Sequence, residues 1–303
     1  MNFLLKKPLE KSKKIAFVSS FCMGDSLVGL IVANNLLLNG YDVTVYGDFI
    51  YALRDWFLQM NVYPLIKEGD KQTLAEYDTV ISMFDNELSR AISAWHPHSI
   101  ILSHSPLYLA KMSMVDIQVA ACRDILRLKK VVKDNGIIPL AGLEPHKYAK
   151  RVVMHPTSSL ARKNWPADKF IELTKRLRTM GYESSFVVSP EERPDWLFAD
   201  AYQVALPQFT SLSAVAAYVF ESGFFIGNDS GIGHLASNLG VPTVSIILRK
   251  GVARQWRPNW APGKVVLSPA WCNPRPVKEK FWKWCTSVRR VQKHFVDLVE
   301  EVQ

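Results

Sequence analysis

Four short stretches of the 303-residue chain carry side chains that could do chemistry. The first is Gly24-Asp25, a carboxylate directly after an apolar run at residues 15–20. Asp at such a junction has two open roles: it caps the following helix by accepting a backbone N–H, or it stands at a cleft rim as a general base. The second stretch is Thr157-Ser158-Ser159 with Lys163. Hydroxyls there can donate to a diphosphate and the lysine can act as a point charge, although a solvated loop has the same composition. The third is the turn Pro190-Glu191-Glu192-Arg193-Pro194, where Glu191 or Glu192 can accept from a ribose hydroxyl or simply face water.

The fourth stretch, Asp229-Ser230-Gly231-Ile232-Gly233-His234, is the most specific. It follows the apolar run 224–226 and opens a short helix expected at 234–239. A strand, a tight loop and a helix start leave backbone N–H groups and the positive end of a helix dipole facing outward, which suits a phosphate. Gly231 and Gly233 allow close backbone approach. His234 is placed to donate toward an oxygen anion, with a purely structural histidine as the other reading.

These stretches need a scaffold, and the pattern around them is strand–helix–strand. Residues 15–20 read as a buried strand, 26–39 as a helix closed by Gly40, and 41–46 as the next strand, which makes a βαβ unit. Further strands are expected at 79–83 and 99–103. Residues 122–133 read as a basic helical segment with Arg123, Arg127, Lys129, Lys130 and Lys133. The loop-rich stretch from Asp134-Asn135-Gly136 to Pro145 marks a domain boundary near 140–150. The same pattern then restarts: a strand at 151–155, a polar loop at 156–164, and a helix with Pro166 at N1, closed by Gly181. Phe170, Leu173, Leu177 and Met180 share one face of that helix. Strands follow at 185–189 and, after the fourth stretch and Gly240, at 241–248. The tail, 277–303, reads as helix with an apolar stripe of Phe281, Val288, Val291, Phe295, Leu298 and Val302. Two tandem α/β halves with mostly parallel sheets place ligands beyond the carboxyl ends of the strands.

Composition narrows the partners. A net charge of +9, from 37 Lys and Arg against 28 Asp and Glu, favours anionic ligands. The basic residues are dispersed and not interleaved with aromatics, which argues against nucleic acid. Cys22, Cys122, Cys272 and Cys285 lie far apart with no metal-ligand spacing, so neither a disulfide framework nor a zinc site is expected and a reducing compartment fits. The basic stretch 6–14 before Ile15 has no small-residue cleavage site before Asp25, and no run reaches the roughly 20 apolar residues of a membrane span. The expectation is a cytoplasmic protein, peripheral at a membrane if its basic segments meet one. The G-x-G-x-x-G dinucleotide fingerprint is absent after the first strand.

Together these residues resemble glycosyltransferase family 9, the bacterial lipopolysaccharide heptosyltransferases. Gly24-Asp25, the run from His155-Pro156-Thr157 through Lys163-Asn164-Trp165-Pro166, the Glu191 turn, and Phe225 through Ala236 occur in the family's order. Ile232 stands where the family commonly has proline. The resemblance implies the GT-B fold: two Rossmann-like lobes whose parallel sheets face each other across a cleft. It implies an acceptor-side lobe at 1–146, a nucleotide-sugar lobe at 147–276, and a C-terminal helix at 277–303 packing back toward the first lobe. Asp25 is then the catalytic base. Ser158, Ser159, Lys163, Glu191, Asp229, Ser230, Gly231, Gly233 and His234 hold the donor, chiefly its diphosphate. No cofactor and no metal are implied. The reaction is an inverting transfer of heptose, from ADP-heptose or a related nucleotide sugar, to an anionic lipid A–Kdo core acceptor, with inner-membrane contact through the basic segments. A non-catalytic nucleotide-sugar-binding protein and a GT-B epimerase are the competing readings.

Overall fold

The computed structural model describes residue 9 and residues 13–67, 70–269 and 281–303. Lys6, Lys7 and Lys11 of the basic lead-in, Cys272, and the expected start of the tail helix at 277–280 lie outside the described residues. The chain forms two compact units, Met1–Ile138 and Pro139–Gln303.

The first unit runs β1 (Lys14–Val18), α1 (Met23–Leu38), β2 (Asp42–Tyr46), α2 (Asp48–Ala52), β3 (Asn61–Tyr63), α3 (Lys71–Ala75), β4 (Thr79–Ser82), α4 (Glu87–Ser93), β5 (Ser99–Ile101) and α5 (Met114–Ala120). Its sheet is parallel with the order β3-β2-β1-β4-β5. β1 is central, so both faces are covered, and Ile15, Ala16 and Phe17 are fully buried. That is why it reads as a continuous apolar run without alternation. The helix after it is apolar on nearly every side and buried along most of its length, as expected of a helix packed on more than one face. Gly40, at φ +85°, ends that turn of chain.

The segment at 122–133 differs from its expected form. The helix of α5 widens into a π turn over Ala121–Ile125 and stops, and Arg127 takes a positive φ of 55°. From there the chain runs beside α1, held by asparagines. Asn39 Oδ1 accepts from the N–H groups of Lys129 and Lys130, and its Nδ2 donates to Lys130 O. Asn35 accepts from Val132 N and donates to Val132 O. Asn34 donates to Asp134 O, and Asn135 donates to Leu27 O in the opposite direction. Side-chain amides here pair the backbone of 129–134 as a neighbouring strand would, so continuing the helix is not needed to satisfy those groups. Arg123 lies in the π turn, and the basic side chains from Arg127 to Lys133 follow it on a loop and share no helix face.

The second unit runs β6 (Tyr148–His155), α6 (Ala167–Thr179), β7 (Glu183–Phe186), α7 (Leu212–Phe220), β8 (Ser222–Asn228), α8 (Gly231–Asn238), β9 (Thr243–Ile246), α9 (Lys250–Trp256), β10 (Gly263–Val266) and α10 (Val288–Val302). Its parallel sheet has the order β10-β9-β8-β6-β7. Where β6 and β8 lie side by side, Gly223 passes so close to Ala149 that an added Cβ would collide with the Ala149 carbonyl oxygen. The middle of the tail's apolar stripe is buried in this unit's own core, whereas Phe281 and Val302 at its ends are exposed. Val291, Phe295 and Leu298 are fully covered, and Phe295 meets Tyr182 and Phe224 edge-on at 4.9 and 5.1 Å. Among the described residues no helix is long and apolar enough to cross a membrane.

Candidate functional site

In each unit the strand order reverses beside one central strand, and the loops beyond the carboxyl ends there are the natural ligand positions. In the first unit that strand is β1. Asp25 lies in the opening turn of the helix that follows it. The helix starts at Met23 with Cys22 as its N-cap, three residues earlier than expected, so Asp25 is inside the helix and does not cap it. Ser20 bridges the turn: its Oγ accepts from Cys22 N at 3.2 Å and donates to Asp25 Oδ2 at 3.3 Å. Ser26 closes the turn from below, donating to the carbonyls of Ser20 and Cys22. Asp25 is thus half-buried, oriented by a hydroxyl and near the positive end of a helix. Sequence reasoning passed over Ser20, whose role depends on the tightness of the turn.

In the second unit the reversal falls between β6 and β8, and the two strongest sequence stretches follow those strands. Asn228, buried at the end of β8, ties them together. Its Nδ2 donates to Pro156 O at 2.6 Å and its Oδ1 accepts from Trp165 N at 3.0 Å. With both ends of the 156–165 loop held to β8, Lys163 reaches Asp229, and the two form an ion pair at 2.8 Å. Both partners are partly exposed, so the ammonium faces solvent as well as its carboxylate. Ser158 is half-buried and donates to Asn164 Oδ1 at 2.6 Å, while Ser159 is exposed.

The helix α8 begins at Gly231, again three residues earlier than expected, with Ser230 as N-cap. Gly231, Ile232 and Gly233 therefore form its first turn, whose N–H groups have no intrahelical acceptor. Ser230 makes no cap hydrogen bond, and its buried Oγ has no partner among the described residues. Gly227, one residue before Asn228, sits against the Phe225 ring and His155 O, where a Cβ would not fit. His234 is buried inside the helix. Burial pushes its pKa down to about 4, against the opposing pull of Asp229 and a hydrogen bond to the Trp256 backbone. The ring is neutral near pH 7, and its Nδ1 has no partner among the described residues. A neutral imidazole whose one N–H faces a carbonyl has no second N–H to offer an oxygen anion.

The acidic turn divides its two residues. Glu191 is exposed, and its carboxyl is held below the usual range by a hydrogen bond from Ser189. Glu192 faces inward: its Oε2 accepts from Thr157 Oγ1 and Ser189 N, both at 3.0 Å. Thr157 in turn lies 3.4 Å from His155 Nε2, while His155 Nδ1 pairs with Val187 O at 2.7 Å. Burial lowers the pKa of His155. Glu192 is therefore the member of the pair wired to the Lys163 loop.

A family model described as glycosyltransferase family 9 (heptosyltransferase) matches residues 129–283. None of the curated proteins matches the chain. Among solved structures it is similar to a family 9 glycosyl transferase from Veillonella parvula, at TM-score 0.72 and 16% identity over 98% of this chain and 99% of that one. It is also similar to the E. coli heptosyltransferase WaaC with ADP, at TM-score 0.68 and 17% identity, covering 94% and 99% of the two chains. E. coli ADP-heptose lps heptosyltransferase II gives TM-score 0.70 and 15% identity over 96% and 100%. At such identities the likeness is one of fold, an α/β fold of the GT-B class.

Proposed function

This chain belongs to glycosyltransferase family 9, and from that premise we propose that it moves a heptose from ADP-heptose to a hydroxyl of an anionic lipopolysaccharide core acceptor, with inversion and without a metal. The observation that carries this is the Lys163–Asp229 pair, set beside the first turn of α8 where two crossing loops meet. An ammonium and a helix N-terminus together form a site for a diphosphate. The E. coli heptosyltransferase WaaC, of the same fold, is described with ADP and with ADP-2-deoxy-2-fluoro heptose.

In this mechanism Lys163 and the amides of Gly231, Ile232 and Gly233 take the β-phosphate, with Ser158, Ser159 and Ser230 as hydroxyl donors. Asp229, a carboxylate that would repel phosphate alone, orients Lys163 and accepts from a sugar hydroxyl. Glu192, with Glu191 at the rim, accepts from the ribose. His234, neutral and buried, supports the helix start. Asp25 removes the proton from an acceptor hydroxyl. The oxygen forms a bond to the anomeric carbon while the bond to the diphosphate breaks, and the electron pair leaves on ADP. Charge growing on that leaving group is stabilised by Lys163 and the helix terminus. The proton on Asp25 then passes to water. Arg123, Lys129, Lys130 and Lys133 supply positive charge for a lipid A–Kdo acceptor at the inner membrane surface, with the protein itself cytoplasmic.

Lys163→Ala tests the donor half. A charge-assisted contact contributes about 1.5–3 kcal/mol, so calorimetric titration with ADP should show affinity falling by roughly 10- to 100-fold. Unchanged ADP affinity would remove Lys163, and with it this reading of the site.

A further inference from the structure

On the reading that the 156–165 loop holds the donor diphosphate, we propose that the turn at 282–286 is a positioning element for Lys163, acting through the Trp282 indole. Lys163 is the last residue of a single 3-10 turn, Ala161–Lys163, with no side-chain cap. Asn228 holds this loop at its two ends but leaves the turn itself unheld. The turn's carbonyls are bound from a segment about 120 residues later in the chain. Trp282 Nε1 donates to Arg162 O at 3.1 Å, and Lys283 Nζ donates to Ala161 O at 3.0 Å. The exchange is reciprocal: Trp165 Nε1 donates to Thr286 O at 3.0 Å. Lys169 Nζ, one turn into α6, donates to Lys283 O, Trp284 O and Thr286 O at 2.6, 3.2 and 3.0 Å. It gathers two carbonyls from the end of the helical turn 281–285 and one just beyond it, where a cation is favoured.

Packing alone would not require this arrangement. Trp165 and Trp282 are fully buried, and either ring could fill its place as phenylalanine. Instead both indole N–H groups are directed at carbonyls of the opposite segment, which fixes the register of one against the other. A lysine side chain loses considerable rotamer freedom when it binds. Holding its backbone in place beforehand reduces the part of that loss charged to ligand binding. The tail segment thus sets the presentation of Lys163 without touching the ligand.

The experiment is a double-mutant cycle on the full chain, read by ADP titration. Trp282→Phe keeps the ring and deletes the N–H. Alone, it should weaken ADP binding about 3- to 10-fold, a loss of roughly one hydrogen bond's net worth, with the melting temperature within a few degrees of wild type. In a Lys163→Ala background the same substitution should change ADP affinity less than twofold, because the group it positions is gone. An equal fold-change in both backgrounds, or no change in the wild-type background, overturns the proposal. If Lys163→Ala itself leaves ADP affinity intact, it is the donor reading that fails. Should Trp282→Phe unfold the protein, Lys283→Met, which deletes the bond to Ala161 O from a half-buried position, gives the same comparison with the same criterion.

Discussion

Asn228→Ala isolates the contact on which the second unit's site depends. The substitution removes two hydrogen bonds from a residue that is 1% exposed. It orphans one acceptor, Pro156 O at 2.6 Å, and one donor, Trp165 N at 3.0 Å. Both partner residues are buried, so water reaches neither without a local opening. A buried polar group left unpaired costs about 1–3 kcal/mol, and partial relaxation of the loop would relieve some of it. A net loss of about 2–4 kcal/mol follows. At about 2–4 °C per kcal/mol for a domain of this size, the second unit's melting temperature should fall by roughly 4–16 °C in calorimetry. ADP affinity should fall as well, because the loop carrying Lys163 is no longer held to β8. Asn228→Asp provides an internal control. It keeps the acceptor for Trp165 N but turns a carboxylate oxygen toward Pro156 O, so it should be no more stable than the alanine variant. A melting shift under about 2 °C for Asn228→Ala, with ADP affinity intact, would refute the account of Asn228 as the tie between the two loops.

The remaining predictions concern catalysis and pH. Asp25→Asn should lower kcat by about 10²- to 10⁴-fold, the contribution of a positioned base, with ADP affinity unchanged; turnover within tenfold of wild type would exclude Asp25 as base. The pKa of His234 is depressed in the folded state to about 4 from an ordinary value near 6.5, so between these values the unfolded chain binds more protons. Stability should therefore be full above about pH 6.5 and decline as pH falls toward 4, by on the order of 3 kcal/mol from this group. His155, also depressed by burial, adds to the same limb. Urea denaturation across pH 4–7 should show a shallower acid limb for His234→Gln; an unchanged slope would mean the ring is not the titrating group.

Much of this molecule could be read from its sequence because the informative signals are local. Gly40, Gly181 and Gly240, each at positive φ, mark helix ends correctly, and the apolar runs before Asp25 and Asp229 are buried central strands. What escaped are features that depend on distant partners. Lys163 and Asp229 are both evident as candidates, but their pairing across 66 residues is not. Glu192 accepts from Thr157, 35 residues before it, and nothing local in the acidic turn announces that contact. Both site helices start three residues before their expected positions, because Met23-Gly24 and Gly231-Ile232-Gly233 look like loop composition yet are wound into the first turn. The basic stretch after Cys122 has ordinary helical propensity, and it is overridden by asparagines on α1. There the signal was present and unused: Asn34 and Asn35 are buried amides in an otherwise apolar helix, and buried amides need partners. The amphipathic stripe of the tail indicates that the helix packs; it carries no information about what the helix packs on.

Those asparagines also bear on how the first unit is made. The bonds from Asn34, Asn35 and Asn39 to residues 129–134 span 90 to 100 positions of chain, and each must wait until the intervening strands are in register. Contacts of such separation form late, after loop closure has been achieved elsewhere. Until then the amides of α1 lack these partners in the 129–134 segment. A nascent chain that has emerged only as far as α5 therefore cannot finish this unit, however well its five strands pair. Completion waits for the last dozen residues, up to Ile138, whose N–H closes on Trp56 O at 2.7 Å. During synthesis the unit should pass from protease-sensitive to protease-resistant over that short interval, and a fragment ended near residue 125 should remain loosely packed.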